Sequence, residues 1–323
     1  MSSFKRRQQK YVKKPYRVRN WAKYEKGLRS RGSLTVWIGL APDSHTIPGW
    51  DAPTRTKKKR GRQSKYSKMA IATCLQIRAV YHQPLRQTEG FLKSLFALLN
   101  LTADVPDHTT ISRRSAMLGR VPLGNRRSNK PVHIIIDSTG LSVHVGQLRK
   151  PPRNRDYRKL HLGVDDKSGD IIACNLTSKS ATDASRVPSL LDQVDRPIVS
   201  ARLDSQYDAE GVYRRIESHR PDRSPRVMIP PKTNATIRPD SSSSKERNRN
   251  IRSRARYGKR AWHKKSGYSV RAKVESTVSR YKVIFGPKMR SRKLAAQRAE
   301  AKIWCQVLNT MTALGMPESY MVG

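Results

Sequence analysis

The sequence has few cysteines and no cysteine motif. Only three occur among 323 residues, at positions 74, 174 and 305, and no two of them form a CxxC pair. This scarcity argues against a disulfide framework and a cysteine-based zinc site. Each cysteine stands among apolar residues, so we predict three buried free thiols.

Long apolar segments are also missing. No run of about 18 apolar residues is present, and the basic N-terminus lacks the apolar core that a signal peptide needs. We therefore expect no membrane partner and a cytoplasmic, nucleoid-associated location.

Acidic residues are scarce relative to basic ones. There are 24 Asp and Glu against 67 Lys and Arg, which gives a formal net charge of +43. Solubility does not require so large an excess, and its sign indicates a polyanionic partner, above all nucleic acid. The acids are concentrated in residues 165–222, between basic flanks at 1–65 and 240–293. A metal-dependent enzyme on nucleic acid would have a use for acids placed there, whereas a packaging protein would not.

The N-terminal part, residues 1–66, is predicted to be a basic segment. Its aromatic residues could stack on DNA or pack in a core, and packing is favoured; they are Tyr11, Tyr16, Trp21 and Tyr24. Residues 33–38 fit either a short strand or a turn of helix.

Residues 67–125 are predicted to form a helical DNA-binding domain. Ser67 can cap a first helix that ends near Tyr81, a second spans roughly 85–99, and a third covers 109–118. Three helices in this order fit a helix-turn-helix-like unit, with Arg113 and Arg114 as DNA contacts. A helical packing domain without DNA contacts is the alternative.

Residues 130–315 are predicted to be an α/β catalytic domain built on a mixed sheet. The strand that starts at Val132 is expected to end near Asp137 and to turn at Gly140, and Asp204 follows a later strand. Asp208 is interpreted as a helix cap. Residues 232–265 are rich in Ser, Arg, Asn and Lys, so we expect a flexible basic loop there.

The candidate catalytic residues are three carboxylates. Asp137 and Asp204 should meet on neighbouring strands, and a helix that packs beside them would add Glu275. Hard cations such as Mg²⁺ prefer oxygen ligands, so the three acids are candidate ligands of two Mg²⁺ ions, with Mn²⁺ as a possible substitute. Asp165 and Asp166 adjoin a predicted turn and are interpreted as surface residues.

The helix of Glu275 carries further polar residues. At helical spacing Tyr268, Arg271, Glu275 and Lys282 project from one face, while Val270, Val274, Val278 and Ile284 form a neighbouring apolar stripe. An ordinary amphipathic helix with an Arg/Glu pair four residues apart is the alternative.

The order Asp137, Asp204, Glu275 on a mixed sheet resembles the RNase H-like DDE transposases of bacterial insertion sequences. The pattern Tyr268-x2-Arg271-x3-Glu275-x6-Lys282 matches the Tyr-Arg-Glu-Lys signature of one large branch of that family. The resemblance implies an RNase H-like five-stranded sheet with flanking helices after an all-α N-terminal region. It also implies that the three acids bind the metal ions and that Tyr268, Arg271 and Lys282 contact DNA near the cleaved end.

The function that this resemblance implies is transposition. Such an enzyme binds terminal inverted repeats, cleaves phosphodiester bonds at the element ends and joins the freed 3′-OH to target DNA. Handling two ends together implies a homodimer on DNA. The alternatives are an RNase H-like nuclease without strand transfer, a DNA-binding regulator and a general packaging protein.

Overall fold

The structure is a computed structural model of the 323-residue chain. It describes residues 15–39, 45–52, 63–118, 123, 130–143, 157–219, 224–239 and 244–322. Tyr11 and most of the segments 53–62 and 119–129 lie outside these residues.

The centre of the fold is a five-stranded mixed sheet. Its strands are β2 (Val132–Ser142), β3 (Tyr157–Asp165), β4 (Ile171–Ser178), β5 (Ile198–Arg202) and β6 (Arg226–Met228), in the order β4-β3-β2-β5-β6. The first three form antiparallel ladders, and β5 and β6 continue the sheet in parallel with β2. A separate pair, β1 (Tyr16–Val18) and β7 (Ser319–Met321), is antiparallel and joins the two ends of the chain. The predicted α/β class with a five-stranded mixed sheet is confirmed.

The helices flank this sheet and precede it. They are α1 (Trp21–Ser30), α2 (Leu34–Ile38), α3 (Lys68–Val80), α4 (Leu85–Leu98), α5 (His108–Leu118), α6 (Val187–Leu191), α7 (Glu210–Glu217), α8 (Lys245–Ser266), α9 (Ala272–Phe285) and α10 (Leu294–Leu314). None of those within the described part of the chain combines the length and the apolar character that crossing a bilayer demands.

Strand β2 differs from its prediction because it does not turn at Gly140. Gly140 stays in the ladder opposite Lys159, and the strand continues to Ser142. The apolar residues of β2 therefore alternate between two cores along its whole length. As a consequence Asp137 lies within the strand instead of at its end.

The sheet is covered on both faces. Ile135 and Leu141 of β2 join a core that contains residues of α3, α5, α9 and α10, whereas Ile134 and Ile136 face a second core with α6 and α7. Neighbouring side chains of a strand point to opposite faces, which explains this division. The three buried cysteines, predicted from their apolar surroundings, are confirmed as free thiols.

The three helices predicted between residues 67 and 118 form close to their predicted bounds, whereas α1 was not predicted. Ser67 caps α3 by accepting a hydrogen bond from the backbone N–H of Ala70 at 3.0 Å, and Pro84 precedes α4. Helices α3, α4 and α5 contact one another, and α3 and α5 also pack on α10. They thus share one core with the sheet. The division of the chain at residues 66 and 125–130 stays a prediction.

The aromatic residues near the N-terminus do not follow the favoured prediction. Tyr16 and Trp21 are exposed instead of packed in a core. Within the described residues, the strand of Tyr16 pairs with the short strand β7 alone. Tyr24 is partly buried and lies edge-on to Trp21, with the ring centroids 6.1 Å apart.

The prediction of a flexible loop at 232–265 is wrong for residues 245–266, which form α8. Buried polar contacts explain the error. Asn248 exchanges hydrogen bonds with the backbone of Arg238, and Asn250 donates to the carbonyl oxygen of Val227 at 2.8 Å. Polar side chains with distant partners can therefore order a segment whose composition resembles that of a loop.

The three aspartates interpreted as surface or capping residues are buried. Asp165 does stabilise the predicted turn, since it accepts from the Lys167 N–H, and Asp166 pairs with Arg202 at 2.8 Å. Asp208 does not cap α7, whose N-cap is Ala209. It pairs with Arg247 of α8 at 3.1 Å instead. Since these cations lie far away in the sequence, turn and cap rules did not reveal them.

Glu89 links α4 to the start of α5. Its Oε1 accepts from Lys93 at 2.8 Å, and its Oε2 accepts from the backbone N–H of His108 at 2.8 Å and contacts the His108 ring. These hydrogen bonds, led by those from the Lys93 and His108 side chains, lower the pKa of Glu89 to about 2.

We expect Glu89→Gln to destabilise the protein at neutral pH by about 1–2 kcal/mol, because charge-assisted hydrogen bonds are lost. A lowered folded-state pKa means that the stabilisation is present above the ordinary value of 4.5 and is lost as the pH falls towards about 2. Urea unfolding between pH 7 and pH 3 would show a flatter pH dependence in the variant. Glu25→Gln, in the exposed pair with Arg29, is the control and should change stability by less than about 0.5 kcal/mol. Equal effects of the two substitutions would contradict the prediction.

Candidate functional site

Two of the candidate acids belong to neighbouring parallel strands: Asp137 lies within β2, and Asp204 follows the last residue of β5. Ile135 of β2 is paired with Arg202 of β5, and Asp137 and Asp204 each come two residues later. Adjacent strands lie roughly 4.8 Å apart, so this register brings the two carboxylates to one region of the sheet. Asp204 accepts a hydrogen bond from the Gln206 N–H at 2.8 Å, which fixes the turn after β5.

Helix α9 adds the third acid. Val274 is fully buried, and Val270, Val278 and Ile284 pack partly buried against the same core, so the predicted apolar stripe is present. The predicted single helix is not, because residues 268–271 form a separate 3₁₀ turn before α9. Helix α9 contacts β2 through this side, while the Glu275 carboxylate remains more than half exposed. The helix therefore presents Glu275 beside the sheet.

Arg271 connects two of the three acids. Its Nη1 donates to Asp137 Oδ2 at 3.0 Å, and its Nη2 donates to Glu275 Oε1. The Arg/Glu pair of the simple amphipathic helix is thus present, and the DNA contact of Arg271 stays a prediction. A single guanidinium thus bridges two of the three carboxylates.

Burial affects the charge of the site as well. It raises the pKa of Asp137, and the nearby Asp204 and Glu275 raise it further, while the Ser138 N–H and Arg271 act in the opposite direction. Asp204 and Glu275 are therefore each close enough to Asp137 for their charges to act on it. A cation among them would be favoured both by these charges and by the burial of Asp137.

Tyr268 lies against an aromatic cluster at the end of α8. Its ring centroid is 5.4 Å from that of Trp262 and 4.8 Å from that of His263. The ring is 8 % exposed, and burial raises the pKa of its hydroxyl to about 12, so that the group stays protonated at neutral pH. Arg202 also holds this region, since its Nε donates to the Gly267 carbonyl oxygen at 3.1 Å.

A groove of about 680 Å³ opens beside these residues. It is lined by Asp204, Tyr268 and Arg271, by the loop of residues 230–234, and by cationic or ionisable side chains of α8. The latter are Arg254, Lys259 and His263. These three side chains were not among the predicted site residues, because the composition of residues 232–265 predicts a flexible loop there. Only Lys259 and His263 are spaced by four residues, and Gly258, with φ of 74°, interrupts the helix between them and Arg254, so local spacing did not group the three.

The remaining candidate residues lie away from the three acids. Lys282 is partly exposed and follows Glu275 by about two turns of α9. Arg113 is exposed on α5 and bonds to Thr109, and Arg114 donates to the Tyr66 carbonyl oxygen at 2.6 Å. Within the described residues, none of these three cations has an ion pair with Asp137, Asp204 or Glu275.

The three acids offer the carboxylate oxygens that a hard divalent cation prefers as ligands. Within the described residues, however, no three His, Cys, Asp or Glu side chains are already grouped closely enough to hold a metal ion. Asp204 Oδ2 and Glu275 Oε2 accept no hydrogen bond from the described part of the chain. Both oxygens of Asp137 are used, one by Ser138 and one by Arg271. Cation binding thus fits this donor set if Arg271 gives up its contact with Asp137.

Two family models match the chain. Both are described as "Transposase DDE domain", and they match residues 29–146 and 128–310. The second match covers more than half of the chain and contains all three candidate acids.

Proposed function

Because the chain belongs to the DDE transposase family, we propose that it is an insertion-sequence transposase that binds terminal inverted repeats. It cleaves phosphodiester bonds at the element ends and joins the freed 3′-OH to target DNA. The observation that carries this proposal is the grouping of Asp137, Asp204 and Glu275 around Arg271 beside a basic groove. Assignment to the Tyr-Arg-Glu-Lys branch stays a prediction.

Asp137, Asp204 and Glu275 would hold two Mg²⁺ ions, for which Mn²⁺ could substitute. When bound, such ions supply Lewis acidity for an in-line phosphoryl transfer. The Asp137 side chain is only 16 % exposed and lies in a central strand, so it would fix the position of the site. Glu275 stands on a helix surface and can adjust its side chain.

The neighbouring cations would position the DNA strand. Arg271 releases its carboxylate partners in part and donates to a phosphate oxygen, for which its planar guanidinium is suited. Tyr268 stays neutral and offers a hydroxyl donor beside it. Arg254 and Lys259 extend the positive charge along the groove. Correct placement of the strand provides much of the catalysis in phosphoryl transfer.

Helix α5 would contribute to recognition of the element ends. Thr109, Ser112, Arg113 and Met117 are exposed and recur at helical spacing, so they form one accessible face. We assign Arg113 to a DNA contact on this face. Arg114 would reach DNA only if it released the Tyr66 carbonyl, so its assignment as a contact is the weaker of the two.

The active assembly would be a homodimer that holds two element ends and the target. Cytoplasmic location with association to the nucleoid follows from this function and from the net charge of +43. Residues 67–125 would act as the DNA-binding part and residues 130–315 as the RNase H-like catalytic part.

The test uses purified protein, Mg²⁺ and labelled DNA that carries the inverted repeats flanking its gene. Cleavage at the repeat ends followed by joining to a plasmid would support the proposal. End cleavage without joined products would indicate a nuclease, and repeat binding without cleavage would indicate a regulator. Binding without preference for the repeats would indicate a packaging protein.

Lys282 allows DNA positioning to be separated from metal binding. We expect Lys282→Ala to weaken binding of end DNA by roughly tenfold. The slope of the logarithm of the binding constant against the logarithm of the salt concentration should decrease by about the amount that one phosphate contact contributes. Mg²⁺ binding should be unchanged, whereas Glu275→Gln should weaken Mg²⁺ binding and leave DNA binding intact. Band shifts at several salt concentrations and titration calorimetry measure the two effects. Lys245→Ala, which removes an exposed lysine outside the groove, is the control, and an equal loss in this variant would refute the role of Lys282.

A further inference from the structure

A second cavity lies between α3, α5 and the start of α10. Its volume is about 570 Å³, and apolar residues contribute to its lining: Leu75, Leu85, Ile303 and Trp304. This volume is in the range of small-molecule sites, roughly 300–1,000 Å³. The cavity is therefore large enough for one nucleotide.

Positive charge dominates the polar lining of this cavity. Five cationic residues contribute to it, namely Arg78, Arg113, Arg290, Arg292 and Lys293. The acid Glu300 also lines it, but its Oε1 accepts from the Arg290 N–H and its Oε2 from the Ser291 N–H, both at 2.7 Å. Its carboxylate is thus committed to the backbone, and the side chains leave an excess of positive charge.

Arg78 is the least satisfied of these cations. Its Nε is buried and has no hydrogen-bond partner. Burial lowers the pKa of its guanidinium, the charge of Glu300 raises it, and the repulsion from Arg290 lowers it. A buried donor without an acceptor is costly. An anionic group in the cavity would provide that acceptor.

The N-terminus of α10 also favours an anionic ligand in this cavity. Lys293 occupies its N-cap without a side-chain hydrogen bond to the helix, and Ala295 and Ala296 line the cavity. The first N–H groups of a helix have no intrahelical acceptor and carry a partial positive charge. Small side chains there leave room for an anion to approach.

We propose that this cavity binds a single unpaired nucleotide, with the phosphate among the cations and the base against the apolar lining. The nucleotide could be part of a DNA strand or free in solution, and both share this chemistry. The strand-bound form rests on the proposed function, whereas the free form does not. A duplex is too wide for the cavity, so a strand would insert one nucleotide from an end or a distortion.

Binding is tested on the full-length protein in EDTA, which keeps the catalytic acids free of metal. The probes are deoxyadenosine monophosphate and a fluorescent 5′-phosphorylated deoxyadenylate trinucleotide. We expect Arg292→Ala/Lys293→Ala to weaken binding of whichever probe binds by about tenfold or more. The control Arg226→Ala/Lys245→Ala removes two exposed charges outside the cavity and should change binding by less than about twofold.

A second variant, Arg78→Met, reports on the same site through stability. Removing a buried donor without an acceptor should raise Tm in the absence of probe and reduce the increase in Tm that the probe produces. A merely structural arginine would give a lower Tm on replacement. That result would overturn the assignment of Arg78 to the ligand.

The two probes distinguish the sources of the nucleotide. Tight binding of the trinucleotide alone indicates a DNA strand, and comparable binding of the monophosphate indicates a free nucleotide. No saturable binding of either probe, or equal losses in the cavity and control variants, would overturn the proposal. The Mg²⁺-dependent cleavage assay is separate, so cleavage without probe binding refutes this inference alone, and probe binding without cleavage refutes only the proposed catalysis.

Discussion

Asp137→Asn is expected to abolish Mg²⁺-dependent cleavage of end DNA, with a loss of roughly 10³-fold or more, while binding of that DNA survives. The amide can still accept the hydrogen bond from the Ser138 N–H, so the local backbone should be preserved. What disappears is the negative charge that would hold a metal ion and align it with the phosphate. The same loss is expected for Asp204→Asn and Glu275→Gln.

The stability of these variants separates loss of chemistry from loss of fold. Burial raises the pKa of Asp137, which means that the folded state disfavours its charged form. Without metal, Asp137→Asn should therefore be at least as stable as the unmodified protein at neutral pH. Cleavage assays paired with thermal unfolding in EDTA measure both effects. Asp192→Asn, which removes an exposed carboxylate paired with Arg215, is the control and should retain cleavage.

Retained Mg²⁺-dependent cutting by any of the three variants would refute the catalytic assignment. Loss of both cutting and stability would instead indicate a structural role for the acid concerned. In Asp137→Asn, Arg271 can keep its ion pair with Glu275. This substitution therefore does not leave Arg271 without an acidic partner.

The strands and the helix that carry the three candidate acids were predictable from local sequence patterns, although β2 continues past Asp137 instead of ending there. A β-branched apolar run from Val132 identifies β2, and a second run before Asp204 identifies β5. Hydrophobic alternation defines which faces of these strands are buried. Helical spacing likewise placed Glu275 and the apolar stripe of α9. These patterns depend only on residues that are close in sequence. The strands and the helix that they predict form in the structure because the local preferences agree with the tertiary packing.

Other features depend on partners that are remote in sequence, and local rules failed there. The residues next to Asp166 in the sequence do not indicate its pairing with Arg202. Likewise, Arg271 and Asp137 are in contact although 134 residues separate them in the sequence. The helix α8 was missed for the same reason. Its buried asparagines bond to the backbone of Val227 and Arg238, so its order comes from contacts outside the helix.

Asp208 shows how such a remote contact shapes the functional groove, and its removal should have the largest effect on stability. Its carboxylate is fully buried, pairs with Arg247 Nε at 3.1 Å and accepts from the Lys232 N–H at 2.9 Å. Arg247 in turn donates to the Thr236 carbonyl oxygen. One carboxylate thus fastens α8 to the loop of residues 230–234, and both line the groove beside Asp204.

We expect Asp208→Ala to destabilise the protein by about 3–5 kcal/mol, because it leaves a largely buried guanidinium without its acid and the Lys232 N–H without an acceptor. Asp208→Asn should cost less, since the amide oxygen can still accept from Lys232. Chemical unfolding at pH 7 measures both. Asp192→Ala, in the exposed pair with Arg215, should cost less than about 1 kcal/mol.

The double variant Asp208→Ala/Arg247→Met tests the cause of this destabilisation. If an unpaired buried charge is responsible, replacing Arg247 with an apolar side chain of similar length should recover much of the lost stability. If the Asp208–Lys232 bond is responsible, the double variant should remain as unstable as Asp208→Ala. In the first case α8 regains its packing without its ion pair, so end-DNA binding through Arg254 and Lys259 should return together with stability. A cost for Asp208→Ala no larger than that of Asp192→Ala would show that the ion pair does not fasten the groove.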